Sequence, residues 1–247
     1  MQSAFQLILV MLSAHPYLDY RNINIWKELS KALTISVTYH DEKSYGLYRI
    51  NNSVNIYVPH LPPCKDSFTH ELLHLWLDMN DVSVSRTLSS TFKTDQLFKF
   101  LFKPELGDHL GNCADHYKML PLYLNMGFER NKFLQDYDSI KCSDIALTMI
   151  EGWYNHEDYP SQQYAVEQYL AIFFSMKACP NPKFDYEESL NRLNKLDSQI
   201  YEILETFWVA LDNFDVNNAD SVFNSYRQFS YPFTENLKQH LVKKFLN

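Results

Sequence analysis

An α+β fold is expected from three features of the chain. The hydrophobic period changes from helical to alternating near residue 34, the alternation ends at a proline cluster near residue 60, and helical spacing dominates almost everything beyond. The simplest organisation is a single domain over residues 1–247: a small N-terminal sheet packed on one helix within about 23–80, then a mainly helical part over about 87–247.

The elements follow in order. Ala4 to Leu12 is apolar and reads as a buried first helix ended by Pro16. Leu12-Ser13-Ala14 faintly resembles a signal-peptidase site, but the first basic residue is Arg21, so the charged region that precedes a signal is missing. The run is also too short to span a bilayer, so a cytoplasmic chain without a membrane partner is expected. Ile25, Trp26, Leu29 and Leu33 follow helical spacing. Ile35, Val37 and Tyr39 alternate with polar residues, as do Val54, Ile56 and Val58; a third strand fits Tyr45 to Ile50, with a tight turn at Asn51-Asn52. Pro59, Pro62 and Pro63 stop the sheet, and Asp66 or Ser67 is the expected cap of the next helix. Further helices are expected over 87–102, 110–126, 144–154, 161–176, 186–213, 219–229 and 234–246. Their breaks fall at Pro104, Gly127, Pro160, Pro180-Asn181-Pro182 and Pro232.

Composition excludes several functions. With 22 basic and 30 acidic residues the net charge is −8, which argues against a nucleic-acid-binding face. Five glycines leave no Gly-rich phosphate loop. Cys64, Cys113, Cys142 and Cys179 form no C-x-x-C pair, which rules out a cysteine zinc ribbon; they are expected to be reduced and mostly buried.

Chemistry is concentrated in Ser67-Phe68-Thr69-His70-Glu71-Leu72-Leu73-His74-Leu75-Trp76-Leu77-Asp78. Residues four apart share one helical face, so His70 and His74 can aim two imidazole nitrogens at one point. Two neutral imidazoles, a third ligand and a water complete a tetrahedral Zn²⁺ site. Glu71 lies about 100° around the helix from His70 and can reach the water as general base. With 9 His and 13 Glu in the chain, chance expects only about 0.02 such spacings, so the match carries weight. The surrounding Phe and Leu residues require the helix to be buried, and buried imidazoles and carboxylates need partners.

His70-Glu71-Leu72-Leu73-His74, preceded by a small sheet, resembles the active-site helix of zincin metallopeptidases. The resemblance covers roughly Ile35 to Asp78 and identifies no subfamily. No Gly and His follow His74 at metzincin spacing, and no clear Glu-x-x-x-Asp ligand helix of the thermolysin-like kind is present. It implies a sheet whose edge strand holds an extended protein or peptide substrate, above a cleft with a helical lower part. The expected activity is zinc-dependent hydrolysis of peptide bonds; the alternative is a catalytically silent zincin-fold module that binds or regulates a partner.

The third ligand is expected at His116, 116 − 74 = 42 residues beyond the motif, with Asn112 one turn away to orient it. Asp115 is the alternative, and Glu151 and Glu167 follow. Asp78, one turn after His74, is either an acceptor for its ring or a solvent-exposed residue. Trp153, Tyr154 and His156 can supply an oxyanion donor, although a place as core aromatics is the preferred explanation.

Overall fold

In the computed structural model, residues 15–216 and 219–246 are described, with side chains from 16 to 216 and from 230 to 246. The helix expected over Ala4 to Leu12 lies outside them. The architecture is α+β and mostly helical, with a three-stranded sheet near the N-terminus. The chain forms two compact units: Met1–Met79 with Met119–Tyr137, and Asn80–Lys118 with Asp138–Asn247. No helix among the described residues is long and apolar enough to cross a membrane.

In the first unit, α1 (Ile23–Ala32) buries Ile25, Trp26 and Leu29, the face its spacing marks out. Strands β1 (Thr34–His40), β2 (Gly46–Ile50) and β3 (Ser53–Pro59) follow. Their order is β1-β3-β2, with β1 parallel and β2 antiparallel to β3. Central β3 buries Val54, Ile56 and Val58 on one face. Asn51, at φ 53°, turns the β2–β3 hairpin, a conformation Asn tolerates better than most residues.

Helix α2 (Lys65–Met79) carries the motif. It starts ahead of the expected cap, so Asp66 lies in its first turn, where a carboxylate suits the positive end of the helix dipole. Phe68 stacks on Tyr17 at 5.0 Å and packs on Trp26 at 5.8 Å. Buried Asn22 donates to Tyr17 O (3.0 Å) and to Thr69 Oγ1 (2.9 Å), which joins the segment before α1 to the middle of α2. The Tyr45 hydroxyl accepts from Cys64 N at 2.9 Å, while Arg49 pairs with Asp78. Strand β2 and the residue before it are therefore tied to the two ends of the α2 segment.

In the second unit, α3 (Val84–Thr94) and α4 (Gln96–Leu101) replace the single helix expected over 87–102. Asp95 separates them, because its Oδ1 accepts from Leu97 N (2.8 Å) and Phe98 N (3.3 Å) and starts a new helix. Helix α5 (Pro104–Asn125) begins earlier than expected. Pro104 sits at its first position, where proline loses no helical hydrogen bond. Residues through Lys118 belong to the second unit, and the same helix continues into the first from Met119. Then come α6 (Asp144–Tyr154) and α7 (Tyr159–Lys177), with Pro160 in the first turn of α7.

The helix expected over 186–213 is α8 (Glu187–Leu196) and α9 (Ser198–Asp212), divided at Asp197. Conversely, α10 (Ala219–Phe245) runs through Pro232, where a break was expected. Burial of Phe233, Leu237 and Leu241 holds that helix in place, with Phe233 against Phe207 at 4.7 Å, and offsets the lost backbone hydrogen bond. None of the four cysteines is in a disulfide; Cys113 and Cys142 are buried, Cys64 and Cys179 partly so.

Asp197 is the polar hub of this unit. Its Oδ1 caps α9 through Gln199 N (3.0 Å) and Ile200 N (2.9 Å), and its Oδ2 accepts from Tyr154 Oη (2.7 Å) and pairs with His240 Nε2 at 3.0 Å. Burial alone would raise its carboxyl, but His240, the Ile200 N–H and the Tyr154 hydroxyl outweigh it and hold the group well below the usual carboxylate range. A depressed folded-state pKa contributes stability above the unfolded value, about 3.9, and loses it as pH falls further. Asp197→Asn should therefore cost about 2–4 kcal/mol in urea unfolding at pH 7. The wild-type advantage should shrink below about pH 4. A cost under about 0.5 kcal/mol at pH 7 would contradict this role.

Candidate metal centre

The site begins with the period of α2. His70 and His74 project from one face, their rings nearly perpendicular at 70° with centroids 4.9 Å apart. Their Nε2 atoms are 3.2 Å apart. Two ligands about 2.05 Å from one metal at the tetrahedral angle are separated by about 3.3 Å, so this spacing fits a shared ion. With His116, His70 and His74 form a group of three histidines that could hold a metal ion. Among the described residues this is the group of three His, Cys, Asp or Glu side chains with metal-binding spacing. The three histidines can bind a metal ion.

Electrostatics favour the ligating form of the first two. Burial pushes His70 down to about 4, against a hydrogen bond to the Phe133 backbone that works the other way. His74 is pushed well below its ordinary value by burial and then by the His70 ring. Both imidazoles are therefore neutral near pH 7, with a lone pair to offer. Burial raises the Glu71 carboxyl to about 7.

Glu71 and His70 line one cavity of about 450 Å³, whose other walls include Tyr45, Cys64, Asp66 and Phe133. Phe133 packs on the His70 ring at 5.0 Å and on Tyr123 at 5.1 Å. The Tyr123 hydroxyl donates to Asp66 Oδ1 at 3.1 Å. Sequence reasoning passed over Asp66 and Phe133 as parts of this wall, and Tyr123 as the residue behind them. Phe133-Leu134, an apolar pair inside the polar run Glu129 to Asp138, was the available signal.

Other expected site residues have partners of their own. Asp115, the alternative ligand, is buried with its carboxylate turned to Ser83, Val84 and Ser85. Asp115 and His116 lie in the middle of α5, not at a helix start, so their side chains diverge by about 100°. Asn112 is exposed. Glu151 is held by Arg192 through two bonds of 2.8 and 2.7 Å. Glu167 accepts from Lys103 N at 3.3 Å. Asp78 faces Arg49. Tyr154 is committed to Asp197, His156 pairs with Asp158, and Trp153 packs edge-on against Tyr164 at 5.4 Å.

Purified protein should bind close to one divalent transition-metal ion per chain, measured by elemental analysis after reconstitution and dialysis. His70→Ala, His74→Ala and His116→Ala should each lower the affinity by more than about 100-fold, beyond the effect of losing a supporting group. Asp115→Ala should retain more affinity than His116→Ala; the reverse order would make the carboxylate the ligand.

No family model matches the chain, and no curated protein or solved structure is significantly similar to it.

Proposed function

We propose that this protein is a zinc-dependent hydrolase of peptide bonds with a zincin-type active-site helix. The observation that carries this reading is the joint placement on α2. Two neutral imidazoles stand 3.2 Å apart at their Nε2 atoms, His116 completes a group that could hold a metal ion, and the residue after His70 is a carboxylate that lines one cavity with His70. Zinc suits three imidazoles and one open position, and it lowers the pKa of a bound water to about 7 while polarising a carbonyl.

The chain's own residues do the rest. Glu71 removes a proton from the attacking water as its oxygen bonds to the carbonyl carbon. The Glu71 carboxyl then passes that proton to the departing amine nitrogen as the C–N bond breaks, which returns it to the carboxylate. A base whose pKa lies near neutrality is suited to both transfers, and burial places Glu71 there. A site that only held a metal for structural purposes would need no such group. Strand β2 pairs with β3 on one side, and it and the residue before it are tied to the two ends of the α2 segment. The outer edge of β2 is the proposed seat of an extended substrate.

Glu71→Gln should keep about one zinc and a wild-type unfolding curve while losing about 100-fold or more of the hydrolysis of denatured casein. A variant as active as wild type would remove Glu71 from the mechanism. Because Glu71 works as the carboxylate, kcat/KM should rise with pH to a plateau. The acid limb should lie at or below pH 7, since a neighbouring cation favours ionisation. The limb should be absent from residual Glu71→Gln activity.

A further inference from the structure

We propose that Asp115 is the positioning residue for His116, acting as a pin that sets the rotation of α5 against the start of α3; this rests on the three histidines holding a metal. The Asp115 carboxylate accepts four hydrogen bonds: Ser83 Oγ at 2.9 Å, Val84 N at 2.5 Å, Ser85 N at 3.3 Å and Ser85 Oγ at 2.5 Å. A carboxylate offers about four lone-pair sites, so all are engaged and none is left for a metal. Ser83, the capping residue of α3, makes no capping bond with its own side chain. The cap comes instead from a different helix, and the negative group lies at the positive end of the α3 dipole.

Two glycines on the same face make this approach possible. Gly107, Gly111 and Asp115 are four residues apart and share one side of α5. A Cβ on Gly111 would lie 2.2 Å from Ser85 Cα, and one on Gly107 would lie 2.6 Å from Phe92 Cβ. The α3 and α5 backbones therefore meet where no side chain intervenes, and the buried carboxylate closes the contact at Asp115. Packing of this kind restricts sliding, and the four hydrogen bonds restrict rotation.

Rotation matters for the next residue. A side-chain tip lies about 6 Å from a helix axis, so a turn of α5 by about 10° would move the His116 ring by about 1 Å. Metal–ligand distances tolerate only about 0.2 Å.

The test compares zinc affinity, by competition with a chromophoric chelator, and the visible absorption of the Co²⁺-loaded protein in full-length variants. Asp115→Asn and Ser83→Ala should each weaken zinc binding about 10–100-fold, less than His116→Ala, and move the Co²⁺ spectrum toward that of His116→Ala. Ser83→Thr, which keeps the hydroxyl, should restore both. Asp108→Asn removes a surface ion pair between the same helices, Lys93 Nζ to Asp108 at 2.8 Å, and should change neither. Lower melting temperatures with wild-type zinc affinity and Co²⁺ spectrum would make Asp115 a structural cap only and overturn the proposal. If Asp115→Asn does not fold, Ser83→Ala against Ser83→Thr decides by the same criterion. Unchanged zinc affinity in His116→Ala would overturn the metal reading and the proposal with it; a large loss there with none in Asp115→Asn and Ser83→Ala would overturn the proposal alone.

Discussion

Holding two imidazoles and a carboxylate half-buried on a single helix is the constraint around which the rest is arranged. Leu72, Leu73, Leu75 and Leu77 are inaccessible to solvent, so α2 packs into its unit and draws His70, Glu71 and His74 largely out of water. Removing water from these groups disfavours their charged forms. One physical cause thus yields imidazoles that stay neutral and a carboxyl that titrates near neutrality. A helix with the same spacing on the surface would have ordinary histidines and a fully ionised glutamate.

A helix carrying such groups must also be held still, and its polar residues outside the motif serve that purpose. Thr69 takes the Asn22 amide, Asp66 takes the Tyr123 hydroxyl, and Asp78 takes the Arg49 guanidinium. Each bond reaches α2 from a different segment: the turn before α1, the end of α5 and strand β2. Phe133 closes the wall by packing on the His70 ring.

Carboxylates illustrate a wider pattern. Asp95, Asp115 and Asp197 each satisfy backbone N–H groups at the start of a helix, two from the preceding residue and one from another helix. Where aspartate does this inside a continuous apolar period, the helix divides, as at Asp95 and Asp197. Proline behaves in the opposite way here. Pro104 and Pro160 open helices, while Pro232 lies within one whose flanking Phe233 and Leu237 are buried deeply enough to keep it intact.

What the sequence by itself determined is what depends on local spacing. The change of period separates β1, β2 and β3 from the helices, Asn51 marks the hairpin, and four-residue spacing puts His70 and His74 on one face with Glu71 beside them. Spacing also nominated His116 as the third ligand, with Asp115 as the alternative, since neighbours on a helix point about 100° apart. The partners of the carboxylates came only from the tertiary structure, because those groups lie far along the chain: Asp115 is claimed by Val84, 31 residues earlier, and Glu151 by Arg192, 41 residues later. The same holds for the ends of α3, α8 and α10, where side-chain hydrogen bonds and burial compete with the helical period. Periodicity is a property of a short window of chain. The partner of a buried charge is a property of everything folded around it.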